Sequence, residues 1–195
     1  MTTVVIEKTP QNIEVKPTLT LEEFLRLPEI DESYELIDGE PIKKMSPKFF
    51  HSRLTSVFWT DLSSWCDGFG QVAIEWSVVL KRKNVDWVPV PDLLYISYDR
   101  LAADWREDAP CPVLPELVIE IVSPDQTFNQ LGQKATDYLN AGVERVWVVY
   151  PPMRSLTVFF HDRPPETYRG DRLLTDEIFP NLAVTSEQFF VKAGI

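Results

Sequence analysis

The apolar patterning of this chain predicts an α/β (α+β) fold, a mixed central β-sheet flanked by helices. Three observations carry that expectation. Residues 48–66 repeat apolar side chains at helical spacing, the mark of a long amphipathic helix. Residues 117–122 are apolar almost throughout, as in a central strand covered on both faces. A helical segment then leads to a second β-rich run at 145–150, and a strand–helix–strand crossover pairs its strands in parallel.

In chain order, Thr20 with Glu23 forms a capping box that opens a short helix. Residues 34–37 and 41–45 read as short strands about the turn Asp38-Gly39. In the helix over 48–66, Phe50, Leu54, Val57, Phe58, Leu62 and Trp65 share one face, and Asp67-Gly68-Phe69-Gly70 ends it. Residues 72–80 and 88–96 form an antiparallel hairpin about a charged turn, with Pro89 and Pro91 imposing an edge position or an irregular ladder. A long loop fills 99–114. Thr127 with Gln130 makes a second capping box, opening a helix that runs through Leu139 and stops at Gly142. Its buried stripe is Leu131, Ala135, Tyr138 and Leu139. Pro151-Pro152 ends the strand at 145–150, residues 156–160 form another, and the remainder reads as short strands and turns before a segment near Phe189-Phe190.

A chain of 195 residues fits one domain. Residues 1–18, which mix charge with proline, are expected as a flexible N-terminal arm, and 19–195 as a single domain. No apolar run reaches the ~20 residues that span a bilayer, so no membrane partner is expected. The first 17 residues lack the apolar core of a signal peptide. Cys66 and Cys111 with no CxxC pair point to reduced thiols and a cytoplasmic setting. The net charge of −11 argues against a broad phosphate-binding surface. Basic residues are grouped locally at Lys43, Lys44, Lys48 and Arg53, and at Lys81, Arg82 and Lys83. Each group is either a phosphate contact or a solvated face.

Against that background two acids stand out. Asp92 follows Pro91 within an apolar strand, and Glu120 sits in the middle of another. A carboxylate buried without a partner costs several kcal/mol, roughly, so each position demands a reason. If the strands are neighbours, both acids can share a divalent cation, Mg²⁺ or Mn²⁺, with the backbone carbonyl of Ile121 as a third ligand. Lys134 lies on the following helix, in a strip with Gln130 and Tyr138 at the margin of its buried stripe. From there an ammonium can reach back over the sheet to position water or stabilise charge on phosphorus. This is the equipment of a metal-dependent hydrolytic site.

At this point the sequence resembles a known family, the Uma-type restriction endonucleases within the PD-(D/E)XK nuclease superfamily. The resemblance spans roughly residues 20–190. It rests on Tyr34-Glu35-Leu36-Ile37-Asp38-Gly39-Glu40, His51, Pro91-Asp92-Leu93-Leu94-Tyr95, Glu120-Ile121-Val122-Ser123-Pro124, Lys134, Tyr138, Ala141-Gly142-Val143 and Val146-Trp147. It implies a restriction-endonuclease-like core and a metal-dependent site that hydrolyses DNA phosphodiester bonds. Asp92 matches the superfamily aspartate and Glu120 its second acid. The superfamily places a lysine two residues after that acid, where this chain has Val122, and the resemblance assigns the missing ammonium to Lys134. Glu35 enters as an outer ligand to metal or water, and His51 as a proton shuttle or phosphate contact. Glu75, in mid-strand, is a weaker candidate of the same kind.

Two other readings compete. A non-catalytic interaction module on the same fold would use the acids structurally, paired with buried donors. A glycosidase would also need two carboxylates, but it leaves Lys134 without a task. A homodimer is expected on two grounds: the strand at 156–160 needs cover, and cutting both strands of a duplex calls for two sites.

Overall fold

The computed structural model describes residues 18–27 and 33–195, and the expected arm at 1–18 lies almost wholly outside them. Helix α1 (Leu21–Leu25) opens on the Thr20–Glu23 capping box. A hairpin follows, β1 (Tyr34–Ile37) and β2 (Glu40–Lys43), and then the long helix α2 (Phe49–Trp65). Strands β3 (Gly70–Ile74), β4 (Leu80–Arg82), β5 (Val85–Trp87), β6 (Leu93–Ser97) and β7 (Leu117–Ile121) lead to α3 (Phe128–Asn140). Beyond it come β8 (Arg145–Tyr150), β9 (Ser155–Phe159), β10 (Glu166–Arg169), β11 (Leu173–Asp176), β12 (Phe179–Thr185) and α4 (Ser186–Ala193).

Six strands form the central sheet in the order β10-β9-β8-β7-β6-β3. The β7–β8 pair is parallel, joined by the α3 crossover, and the other pairs are antiparallel. The mixed sheet is therefore as the patterning predicts. Its two faces carry separate cores. Leu117, Ile119 and Ile121 of β7 pack with Leu54, Phe58 and Leu62 of α2 and Phe189 and Phe190 of α4. Val118 and Val122 pack on the opposite face with Leu131, Ala135 and Tyr138 of α3. Alternation along a strand therefore turns Glu120 toward α3, a helix that covers an apolar face.

Four departures from the sequence reading have physical causes. The hairpin expected over 72–96 is two short ladders, β3–β6 and β4–β5. It breaks because Glu75 takes a left-handed backbone (φ 49°) and because Pro89 and Pro91 have no N–H to give. Phe50 is 54% exposed, and His51 takes the inward place beside Leu54, Thr55, Phe58 and Leu62. The residue three before Leu54 continues that stripe, whereas Phe50 falls on its flank. The C-terminal segment is helix α4, opened by a third capping box, Thr185 with Gln188. Finally, β9 is buried along its whole length between β8 and β10, so the strand that called for a dimer partner is already covered.

Candidate active site

The β6–β7 register sets the geometry. Leu93 pairs with Ile119, Leu94 with Val118 and Tyr95 with Leu117. The ladder stops at Leu93, and Asp92 just before β6 lies at the same end of the sheet as Glu120 of β7, its side chain bonded to the amide of Ile121. Both side chains line one cleft of about 220 Å³, together with Glu35, Lys44, His51 and Lys134. The chain thus gathers on one floor residues from β1, the end of β2, α2, β7 and α3.

Asp92 is 3% exposed. Its Oδ2 accepts from the Ile121 amide at 2.7 Å and lies 2.9 Å from His51 Nε2. A carboxylate only accepts, so His51 carries a proton on Nε2 in this arrangement. Its Oδ1 is 2.9 Å from Lys44 Nζ, which is also 3.2 Å from Glu75 Oε1. These are ion-pair contacts without well-aligned hydrogen bonds. Burial alone would raise the Asp92 pKa, but the His51 hydrogen bond, the Lys44 charge and the Ile121 amide outweigh it and hold the carboxyl well below its usual range.

Glu120 is 4% exposed. Its Oε1 accepts from Tyr138 at 2.8 Å and pairs with Lys134 Nζ at 2.9 Å. The same ammonium donates to Glu35 Oε1 at 2.8 Å, and that oxygen also accepts from the Val90 amide at 3.0 Å. Burial raises the Glu120 pKa; nearby Asp92 and Glu35 reinforce the rise, and Lys134 and Lys44 do not cancel it. For Lys134 the burial penalty is overcome by Glu120 and Glu35, so its ammonium is held charged. The two acids are therefore pushed apart: Asp92 is firmly ionised, while Glu120 resists ionisation.

Asp92, Glu120, Lys134, Glu35 and His51 lie together on this cleft, and Glu75 joins through Lys44. Gln130 is not part of the cluster. It is exposed, and its side-chain oxygen accepts from the backbone and hydroxyl of Thr127 as the reciprocal half of the capping box. The sequence offers Lys44 only as one of a basic group, and Tyr138 as a neighbour of Lys134 along the helix without a role at the acids. Charge accounting had a signal for both, because two buried carboxylates require two sets of donors. The remaining basic residues of those groups are mostly engaged within the chain. Lys48 pairs with Asp125 at 2.8 Å, Arg53 donates to the Ala193 carbonyl at 3.0 Å, and Arg82 pairs with Asp137 at 3.1 Å.

Among the described residues no three His, Cys, Asp or Glu side chains close around a point as a self-sufficient metal cage. Two carboxylates opening on one cleft still fit a hard divalent cation, since Mg²⁺ keeps several waters and is held by one or two carboxylates together with substrate phosphate. Among the described residues, no helix is long and apolar enough to cross a membrane.

The six-stranded mixed sheet with its covering helices makes this an α+β protein. The model of the Uma2 family, described as "Putative restriction endonuclease", matches residues 21–187, and the chain belongs to that family. A crystal structure from Anabaena variabilis ATCC 29413, described as "a putative nuclease belonging to DUF820", superposes with a TM-score of 0.77 at 24% identity. The match covers 90% of this chain and 99% of that one, and the likeness is one of fold. No curated protein matches the chain.

Proposed function

We propose that the chain is a divalent-metal-dependent endodeoxyribonuclease that hydrolyses DNA phosphodiester bonds, with Asp92, Glu120 and Lys134 as its catalytic residues. The observation that supports the reading is the meeting of Asp92, the residue just before β6, and Glu120 of β7 on one cleft. Asp92 and Glu120 would hold Mg²⁺ or Mn²⁺. In an extended strand the amide and carbonyl of one residue lie on the same edge, so the Ile121 carbonyl shares the Asp92 edge with its amide and can serve as a third ligand. Such an ion polarises a phosphoryl oxygen and lowers the pKa of a bound water.

The chain's own groups do the rest. His51 and the Ile121 amide fix the rotamer of Asp92 and keep it ionised. Tyr138 and Lys134 fix Glu120. Lys134 is a charged donor within reach of the cleft, suited to orient water or to meet negative charge on the phosphate oxygens. Glu35 holds that ammonium from its far side. Buried free thiols at Cys66 and Cys111 suit a cytoplasmic enzyme. With β9 covered, a homodimer follows only from the need to cut two strands.

Plasmid cleavage with Mg²⁺ or Mn²⁺ tests the reading by comparing the wild type with Asp92→Ala and Glu120→Ala. Loss of cleavage in both variants is expected, and equal activity in all three rejects the assignment. One observation favours the non-catalytic module instead: each acid already has an ammonium partner within the fold. Calorimetric titration with Mn²⁺ separates the two, since a module with structural acids takes up no ion.

A further inference from the structure

Beside the cleft lies a groove of about 620 Å³ walled by Phe49, Phe50, Val122, Pro124, Tyr150 and Pro151. It shares His51, Ser123 and Gln126 with the cleft that holds Asp92 and Glu120, so the two spaces adjoin. We propose that this groove takes an unstacked nucleobase, making DNA with an unpaired nucleotide beside the scissile phosphate the preferred substrate. The inference rests on the nuclease reading above and names its substrate class.

Three features point to a base rather than to more backbone. Phe49 and Phe50 are 71% and 54% exposed, with ring centroids 5.8 Å apart and planes tilted by 54°. Two large aromatic side chains standing side by side in water offer the kind of π-face on which bases stack. The volume lies within the roughly 300–1,000 Å³ that takes a small organic ligand, so one or two bases fit.

Charge supplies the second argument. The chain carries −11, the Lys48 that lines the groove stands beside the acid Asp125, and Lys44 in the adjoining cleft is held against Asp92. Attraction to duplex phosphates is therefore weak, and affinity must come from contacts that do not depend on charge. Stacking is such a contact, and every base offers it. A base within a duplex is stacked on its neighbours and cannot enter a groove, so the nucleotide at this position must be unpaired or splayed out.

Adjacency to the cleft supplies the third. A nucleotide whose phosphate lies at Asp92 and Glu120 has its base within reach of the neighbouring space, and His51 stands at the boundary, 7% exposed and bonded to Asp92.

The test measures binding by the full chain in chelator, where no cleavage occurs, using fluorescence anisotropy. The probes are a labelled single-stranded oligonucleotide, a blunt duplex and a duplex with a single-stranded flap. The flap and single-stranded probes should bind about tenfold tighter than the blunt duplex. Phe50→Leu should erase about tenfold of that preference, the loss expected from one base–aromatic stack, and Phe50→Trp should keep it. A 2-aminopurine placed in the flap should be quenched by the wild type and not by Phe50→Leu. Equal affinity for flap and blunt duplex, or an unchanged preference in Phe50→Leu, overturns the proposal. So does a result in which Phe50→Leu alters only the mass seen by light scattering, because the groove then belongs to a second copy. Failure of the wild type to cut any probe with Mn²⁺ would instead remove the nuclease reading, leaving the binding preference as measured.

Discussion

Lys134 Nζ lies 2.9 Å from Glu120 Oε1, although the lysine belongs to a helix and the acid to the strand before it. The contact exists because Glu120 faces the same side of the sheet as Val118 and Val122, and α3 packs there. Lys134 then stands one turn before Tyr138, whose hydroxyl reaches the same oxygen. The ammonium sits where desolvation would otherwise make an isolated Glu120 carboxylate very costly.

Removing one side of this pair should not equal removing the other. Lys134→Met leaves a buried carboxylate beside Asp92 and Glu35, and it should lower stability in urea by about 3 kcal/mol. Glu120→Gln removes a charge that the folded state already disfavours, keeps an acceptor for Tyr138, and leaves Lys134 paired with Glu35. Its stability should stay within about 1 kcal/mol of the wild type. Metal-dependent cleavage should be lost in both. Equal destabilisation would show that Glu120 is held mainly as a structural ion pair.

Lys44 should act in the opposite sense toward a metal. Its ammonium lies against Asp92 Oδ1, where a divalent cation would also seek a carboxylate oxygen. Burial lowers its pKa, but Asp92, Glu120 and Glu75 outweigh that and hold it charged. Lys44→Met removes a competing positive charge and exposes Asp92 and Glu75 to each other. Thermal unfolding without metal should shift downward, while calorimetric affinity for Mn²⁺ should rise several-fold. A fall in Mn²⁺ affinity would mean that Lys44 organises the ligands rather than competing with the ion.

Strong local signals made much of this fold legible. The Thr20 and Thr127 capping boxes open helices where they were read, and the apolar run ending at Ile121 is an inner strand of the sheet. What escaped depends on distant partners. No local pattern says that Glu75 adopts a left-handed backbone and ends β3, and no pattern sets the rotation that brings His51 inward in place of Phe50. Helix α4 is different, since Thr185 with Gln188 repeats the capping signature that marks the shorter α1 and was equally legible. At the site, the acids and Lys134 stood out because ionisable groups in apolar runs are costly. Lys44 did not, because it lies in a polar run at the end of a hairpin and meets Asp92 only through the fold.

The cysteines give a pH dependence. Cys66 and Cys111 are 1% and 2% exposed, and burial pushes both thiols from 9.0 up to about 11. Below 9.0 the thiols are protonated in folded and unfolded chains alike, so they contribute nothing that varies with pH. Between 9.0 and about 11 the unfolded chain loses its protons while the folded chain keeps them. Stability should therefore fall as pH rises through that window. Urea titrations across it should show a decline that is smaller in Cys66→Ala. Near neutral pH, both thiols should react with a disulfide reagent only on unfolding.

The last prediction concerns where the lysine stands. Val122, two residues after Glu120 where the nuclease resemblance expects a lysine, is 4% exposed and packs in the core beneath α3. It shares the face of Glu120 by strand alternation, so a lysine there could also meet that carboxylate. With Lys134 in place, Val122→Lys would add a second ammonium to one acid and lose apolar packing. It should destabilise the chain by about 2–4 kcal/mol and bring no gain in cleavage. Combined with Lys134→Met, the same substitution supplies a replacement ammonium to Glu120 from the strand side. The double variant should then be more stable than the sum of the two single losses by about 1 kcal/mol or more, and it should recover part of the cleavage lost in Lys134→Met. Strict additivity in stability, with no recovery of cleavage, would show that Lys134 does not stand in for the strand lysine.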